Sequence, residues 1–156
     1  MIKLLFNNSI KTITVFILLL VAFQAHAQCD GKTLKESAKK QFGDGKYTYD
    51  MSKLTQIQYK AKPSLKEIEV PLFIGEKYKM VFNAEALPKS IVISIYNRDK
   101  DSKKRKLLFT TKDAPADQKQ FIFDLSKTRK AFIDYEIPAG DSTAAGGCLV
   151  FMMGYK

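Results

Sequence analysis

Gly140-Asp141-Ser142 places a serine between an aspartate and small residues, the kind of segment in which two groups of serine hydrolases carry their nucleophile. A serine hydroxyl attacks only after a neighbouring base takes its proton, and that base is most often histidine. The chain has one histidine, His26, in an N-terminal stretch that reads as a cleavable leader. A Ser–Lys pairing is open to a lysine-rich chain, although no segment marks a desolvated lysine. Pro138-Ala139-Gly140-Asp141 has the composition of a turn, and the small residues after it that of a flexible loop before a last strand. No catalytic residue is assigned, and Ser142 is read as part of that loop.

Asp134 and Glu136 share one strand face, roughly 6–7 Å apart by strand rise, a spacing nominally open to glycosidase-type acid–base work. Alternating acids on an outer sheet face are far commoner, so the expectation is structural. Asn97-Arg98-Asp99-Lys100-Asp101-Ser102 repeats oxygen side chains at alternate positions but lacks the glycine turn and oxygen count of a calcium loop. Its own cations would repel a metal. Two isolated cysteines without a histidine cannot fill a tetrahedral zinc site, and no cofactor is expected. The same basic run supplies the better candidate: Lys100, Lys103, Lys104, Arg105 and Lys106 form a ligand-binding patch for anionic groups, at what reads as a hairpin tip.

The compartment narrows the ligand. Lys3 and Lys11 precede or begin the apolar run Ile13 to Phe23, and Ala25-His26-Ala27 is a small-x-small cleavage site. This is the pattern of a secretory signal peptide over residues 1–27. The run falls short of the roughly 20 residues that cross a bilayer. Gln28 and His26 before Cys29 do not suit lipid attachment. Cleavage after Ala27 removes Lys3, Lys11 and His26, lowers the net charge from +10 to +8 and leaves 129 residues, 28–156. That length suits one domain, monomeric and without a membrane-crossing segment, in the periplasm or outside the cell. Nucleic acid is not expected as a partner there, despite the basic charge.

The two cysteines, Cys29 and Cys148, lie near opposite ends of the mature chain. Export and the even count favour an intramolecular disulfide. Pairing of Cys29 with another chain and two free buried thiols are the alternatives.

Periodicity gives the elements. Thr33-Leu34-Lys35-Glu36 fits a capping box, and Leu34, Ala38 and Phe42 line one face of a short helix that Gly43-Asp44-Gly45 ends. After Gly45 the period becomes two. Tyr47/Tyr49, Ile57/Tyr59, Ile68/Val70/Leu72, Tyr78/Met80/Phe82, Ile91/Ile93/Ile95, Leu107/Phe109, Phe121/Phe123/Leu125 and Ile133/Tyr135/Ile137 alternate with other residues. Pro71 marks an edge strand or a bulge. Cys148 to Tyr155 is apolar on both faces up to Gly154, as in a central strand. About 7–9 short strands with polar or Gly/Pro turns predict a mainly β, jelly-roll-like antiparallel sandwich with a short N-terminal helix. Strand order is not readable from the pattern.

The stretches IVISIYNRDKDSKKRKLLFTT, KQFIFDLSKTRKAFIDYEIPA and GGCLVFMMGYK together resemble the small β-sandwich domains of the bacterial pre-peptidase C-terminal type, and equally the single-domain exported proteins of Gram-negative bacteria. Arg129-Lys130-Ala131-Phe132 stands where those domains commonly have a Gly-x-Tyr turn. The resemblance implies a sandwich fold and a non-catalytic role, and supplies no site residues. It leads to an expected binding or structural component of the cell envelope, whose partners are anionic glycans, lipids or an envelope protein. A small hydrolase acting on envelope glycans or esters is the alternative.

Overall fold

A computed structural model of the chain describes residues 29–43, 45–126, 129–140 and 146–156. The expected leader and Ser142 lie outside the described residues. Among the described residues one helix, α1 (Gly31–Lys40), precedes eight strands: β1 (Thr48–Ile57), β2 (Ser64–Pro71), β3 (Lys77–Ala86), β4 (Val92–Tyr96), β5 (Leu107–Thr110), β6 (Gln120–Ser126), β7 (Lys130–Ile137) and β8 (Gly147–Tyr155).

The strands form two four-stranded sheets, ordered β1-β8-β3-β6 and β2-β7-β4-β5, with every pairing antiparallel. The first strand pairs the last, the second the seventh, the third the sixth and the fourth the fifth. That is one long hairpin rolled on itself, an eight-stranded jelly roll. The β4–β5 connection, which holds the basic run, is the tip of that hairpin, as the sequence predicts.

Alternation decides which side chains meet between the sheets. Ile68 and Val70 on β2, Ile93 and Ile95 on β4, and Ile133, Tyr135 and Ile137 on β7 face Tyr78, Met80 and Phe82 on β3 and Leu149, Phe151 and Met153 on β8. Phe82 and Phe151 stack with centroids 5.1 Å apart. Burying each large apolar side chain here contributes about 1.5–3 kcal/mol. Pro71 lies on β2, an edge strand paired only with β7, where its missing donor costs no ladder bond on the open side.

A second, smaller core explains why β8 is apolar on both faces. Leu34 and Ala38 of α1, with Phe42 just after it, pack on Val81, Cys148, Val150 and Met152, the outward residues of β3 and β8. Polar contacts fix the helix in place. The buried Asn83 amide donates to the Leu34 carbonyl at 3.2 Å, and Gln41 Nε2 donates to Gln120 Oε1 at 2.7 Å. Gly43 and Gly45, at φ 70° and 66°, take the chain out of the helix in a conformation costly for any residue with a Cβ.

The helix start differs from the capping box at Thr33. Asp30 is the N-cap: its Oδ1 accepts from the Lys32 and Thr33 amides at 3.2 and 3.1 Å, and its Oδ2 accepts the Thr33 hydroxyl at 2.6 Å. Two backbone donors fall within reach of one carboxylate, and an aspartate caps at least as well as threonine. Thr33 serves as a partner of the cap instead.

Cys29 and Cys148 form a disulfide with Cα atoms 5.8 Å apart, joining the residue before the cap to the start of β8. Pairing within the chain is thus the arrangement adopted. Among the described residues no helix is long and apolar enough to cross a membrane.

Candidate functional site

The outer face of the second sheet, together with the turn folded over it, gathers the charged residues that the sequence singled out. Register sets three cross-strand rows on this face: Leu65–Glu136–Val92, Glu67–Asp134–Ser94 and Glu69–Phe132–Tyr96. The middle row carries two carboxylates side by side, an unfavourable placement without a cation between them.

Arg105 supplies that cation. Its Nη1 and Nη2 donate to Asp134 Oδ2 and Oδ1 at 2.9 and 2.8 Å, and Nη2 also reaches Glu67 Oε2 at 2.8 Å. The guanidinium lies over the Tyr96 ring, with Cζ 3.6 Å from the centroid, and Nε donates to the Arg98 carbonyl at 3.0 Å. A planar fork that pairs bidentately and stacks on an aromatic face is specific to arginine. Desolvation pulls the Arg105 pKa down, but the Asp134 hydrogen bonds and charge, with Glu67 and Tyr96, outweigh it and raise it. Burial pushes Glu67 upward, opposed by the Lys100 amide.

These contacts fasten the turn to the sheet. The Lys100 amide donates to Glu67 Oε2 at 2.8 Å, and Lys106 N donates to Asn97 Oδ1 at 2.7 Å. Within the turn, Asp101 N donates to Asp99 Oδ1, and Ser102 N and Arg105 N close local loops on Asp99 and Ser102 carbonyls. Of the oxygens that suggested a calcium loop, those of Asn97, Asp99 and Ser102 are engaged with backbone amides. Among the described residues no cluster of three or more His, Cys, Asp or Glu side chains has metal-binding geometry.

The five residues of the basic patch thus divide. Lys100, Lys103, Lys104 and Lys106 are exposed along the anchored turn. Arg105 points inward, its donors spent on Asp134, Glu67 and Arg98, and acts as the anchor of the patch. Asp134 and Glu136 share a face, as the spacing predicts, but Asp134 is buried with both oxygens held by Arg105 while Glu136 is exposed.

Beside the anchor runs an open groove of about 680 Å³, lined among others by Leu65, Val92, Tyr96, Arg105 and Glu136. Tyr59, Tyr78 and Tyr135 are buried and face inward. Burial raises the pKa of each of them, Tyr135 most strongly.

Sequence reasoning missed Glu67, Tyr96 and the role of Arg105. The available signal was the pairing of outward acids on two strands, and it appears only once β2 and β7 are known to be neighbours. No protein-family model and no curated protein matches this chain.

Proposed function

We propose that this is an exported, non-catalytic jelly-roll protein of the bacterial envelope that binds anionic groups through the β4–β5 turn. The observation that carries the reading is the anchoring itself. Arg105 and the Lys100 amide tie the turn to Glu67 and Asp134, so Lys100, Lys103, Lys104 and Lys106 are displayed on a braced support. Ordering before binding lowers the entropy lost on association.

The outer sheet face beneath is acidic, with Glu67, Glu69, Asp134 and Glu136, and so the anion-binding surface narrows to the turn. The leader-like N-terminus supports export, as does a disulfide that oxidising compartments permit. A non-catalytic role is supported by the lone His26 in the leader and by the engagement of Asp134 with Arg105. The sandwich architecture is in keeping with the pre-peptidase C-terminal resemblance, which remains part of the proposal.

The test is retention of the purified protein on an immobilised sulfated polysaccharide and on vesicles of anionic phospholipid, across a salt gradient. Salt-sensitive retention that falls when the four turn lysines become glutamines supports the reading. Retention unchanged by either treatment, or hydrolysis of a glycan or ester that survives repurification, contradicts it.

A further inference from the structure

The opposite flank of the sandwich, where β1 and β2 are the open edges of the two sheets, holds a second concentration of positive charge. Residues paired across an antiparallel ladder share a face. Lys53 and Thr55 pair with Phe151 and Leu149, and Lys66 pairs with Tyr135, so all three project on the inter-sheet side of their strands. Lys60 follows the end of β1, where its carbonyl accepts the Gly140 amide at 2.8 Å and the neighbouring Tyr59 hydroxyl donates to the Lys89 carbonyl. Together Lys53, Lys60, Lys66, Thr55, Gln58 and Ser64 line a cleft of about 610 Å³ that no carboxylate enters among the described residues.

Thr55, which lines this cleft, carries an unused buried donor. Thr55 is 2% exposed, yet its Oγ1 has no hydrogen-bond partner among the described residues. A buried hydroxyl without a partner is destabilising, and such groups are rare enough to need a reason. Inward-pointing lysines on edge strands also deter edge-to-edge association. That role accounts for Lys53 and Lys66, but it does not require a hydroxyl at Thr55 or a third lysine beyond the strand end.

We propose that the β1–β2 flank is a binding site for a compact tetrahedral oxyanion, a phosphate or sulfate ester of sugar size, held by the ammonium groups of Lys53, Lys60 and Lys66 with the Thr55 hydroxyl donating from below. Three lysines and a neutral hydroxyl lining one cleft match an oxyanion, whose oxygens accept from both kinds of donor. The site is separate from the β4–β5 turn, and its fate does not depend on that reading.

The test is titration of the disulfide-bonded protein with inorganic phosphate, pyrophosphate and sulfate at constant ionic strength, followed by backbone amide shifts in NMR. The site predicts saturable shifts centred on Thr55 and Lys66, larger and tighter for pyrophosphate. Phosphate against sulfate distinguishes the two ester sources. Replacing the three lysines together (K53Q, K60Q, K66Q) should weaken pyrophosphate binding at least tenfold. Thr55→Val should weaken it severalfold while the thermal midpoint holds or rises, because the orphaned hydroxyl is gone. Changing the four turn lysines should leave it intact. Absence of saturable shifts at the flank, equal binding by the lysine or Thr55→Val variants, or loss of binding only on changing the turn lysines would each overturn the site. Lysine variants that self-associate but keep full anion affinity would assign these lysines to edge protection alone.

Discussion

Arg105 holds Asp134 through both carboxylate oxygens, at 2.8 and 2.9 Å, with Asp134 almost wholly enclosed and Arg105 mostly so. A residue from the hairpin tip thereby closes onto the middle of strand β7. Removing one member of such a pair leaves an uncompensated buried charge, which is far costlier than the pair is worth.

Arg105→Met should therefore destabilise the protein by about 3 kcal/mol or more. Adding Asp134→Asn in the same chain should recover a large part of the loss. Urea unfolding at constant m-value measures both. A loss below about 1 kcal/mol, the size of an ordinary surface pair, would show that the turn is not anchored through this contact.

The disulfide should act mainly on the unfolded chain. Cys29 and Cys148 are 119 residues apart, and a loop of that size is worth up to about 4–5 kcal/mol in the chain-entropy account. Cys29→Ala combined with Cys148→Ala should lower the urea midpoint while β-sheet circular dichroism persists at low denaturant. The released helix should lose amide-exchange protection before the sheets do, since its apolar face packs on one side only, against β3 and β8, and side-chain hydrogen bonds such as Gln120 to Ser37 hold the rest. Equal protection of helix and sheets in that variant would contradict the assignment.

The N-cap gives a pH dependence of definite sign. The Thr33 hydroxyl, then the Thr33 and Lys32 amides, hold the Asp30 carboxyl below its usual 3.8. A depressed acid contributes stability that is complete above its unfolded pKa and disappears as pH falls through the lower folded value. The difference in thermal midpoint between the protein and Asp30→Ala should be constant from pH 7 down to about 4.5 and shrink below that. Glu67, raised by burial, has the opposite sign, but it is common to both chains and cancels in the comparison. A difference that grows on acidification would refute the capping role.

Much of the fold is legible in local pattern because the pleat repeats every two residues. Ile93/Ile95 and Ile133/Tyr135/Ile137 declare their inner faces, and the double-sided apolar run at Cys148–Tyr155 declares a strand covered by both a sheet and a helix. Pro71 marks its edge for want of a donor. What pattern does not carry is adjacency across the chain. Glu67 and Asp134 become one ion-pair site only because β2 lies beside β7, and nothing within either strand encodes that neighbour. Arg105 looks like one more cation in a solvated run for the same reason. Lys53 and Lys66 continue the inward parity of Ile57 and Ile68, yet nothing within their own strands separates them from ordinary surface charge. The cap lies three residues before the expected Thr33 because Thr33 and Asp30 both satisfy the local rule, and only geometry shows which side chain reaches the free amides.

The turn lysines should affect binding and not stability. Lys100, Lys103, Lys104 and Lys106 are exposed, and exchange of such residues usually shifts stability by within about 0.5 kcal/mol. Their substitution by glutamine should leave the unfolding midpoint in place. By contrast, Arg105→Met should weaken binding indirectly, through a turn that is no longer braced.

The most direct measurement of anion recognition is the salt dependence of affinity for a sulfated polysaccharide, compared between the native protein and the variant with all four turn lysines changed to glutamine. Charge-driven binding falls as salt rises, because ions screen exposed charges. The native protein should bind with a steep salt dependence, and the variant should bind at least tenfold more weakly with a shallower one. Identical slopes and affinities for the two proteins would place recognition elsewhere on the molecule and contradict the account.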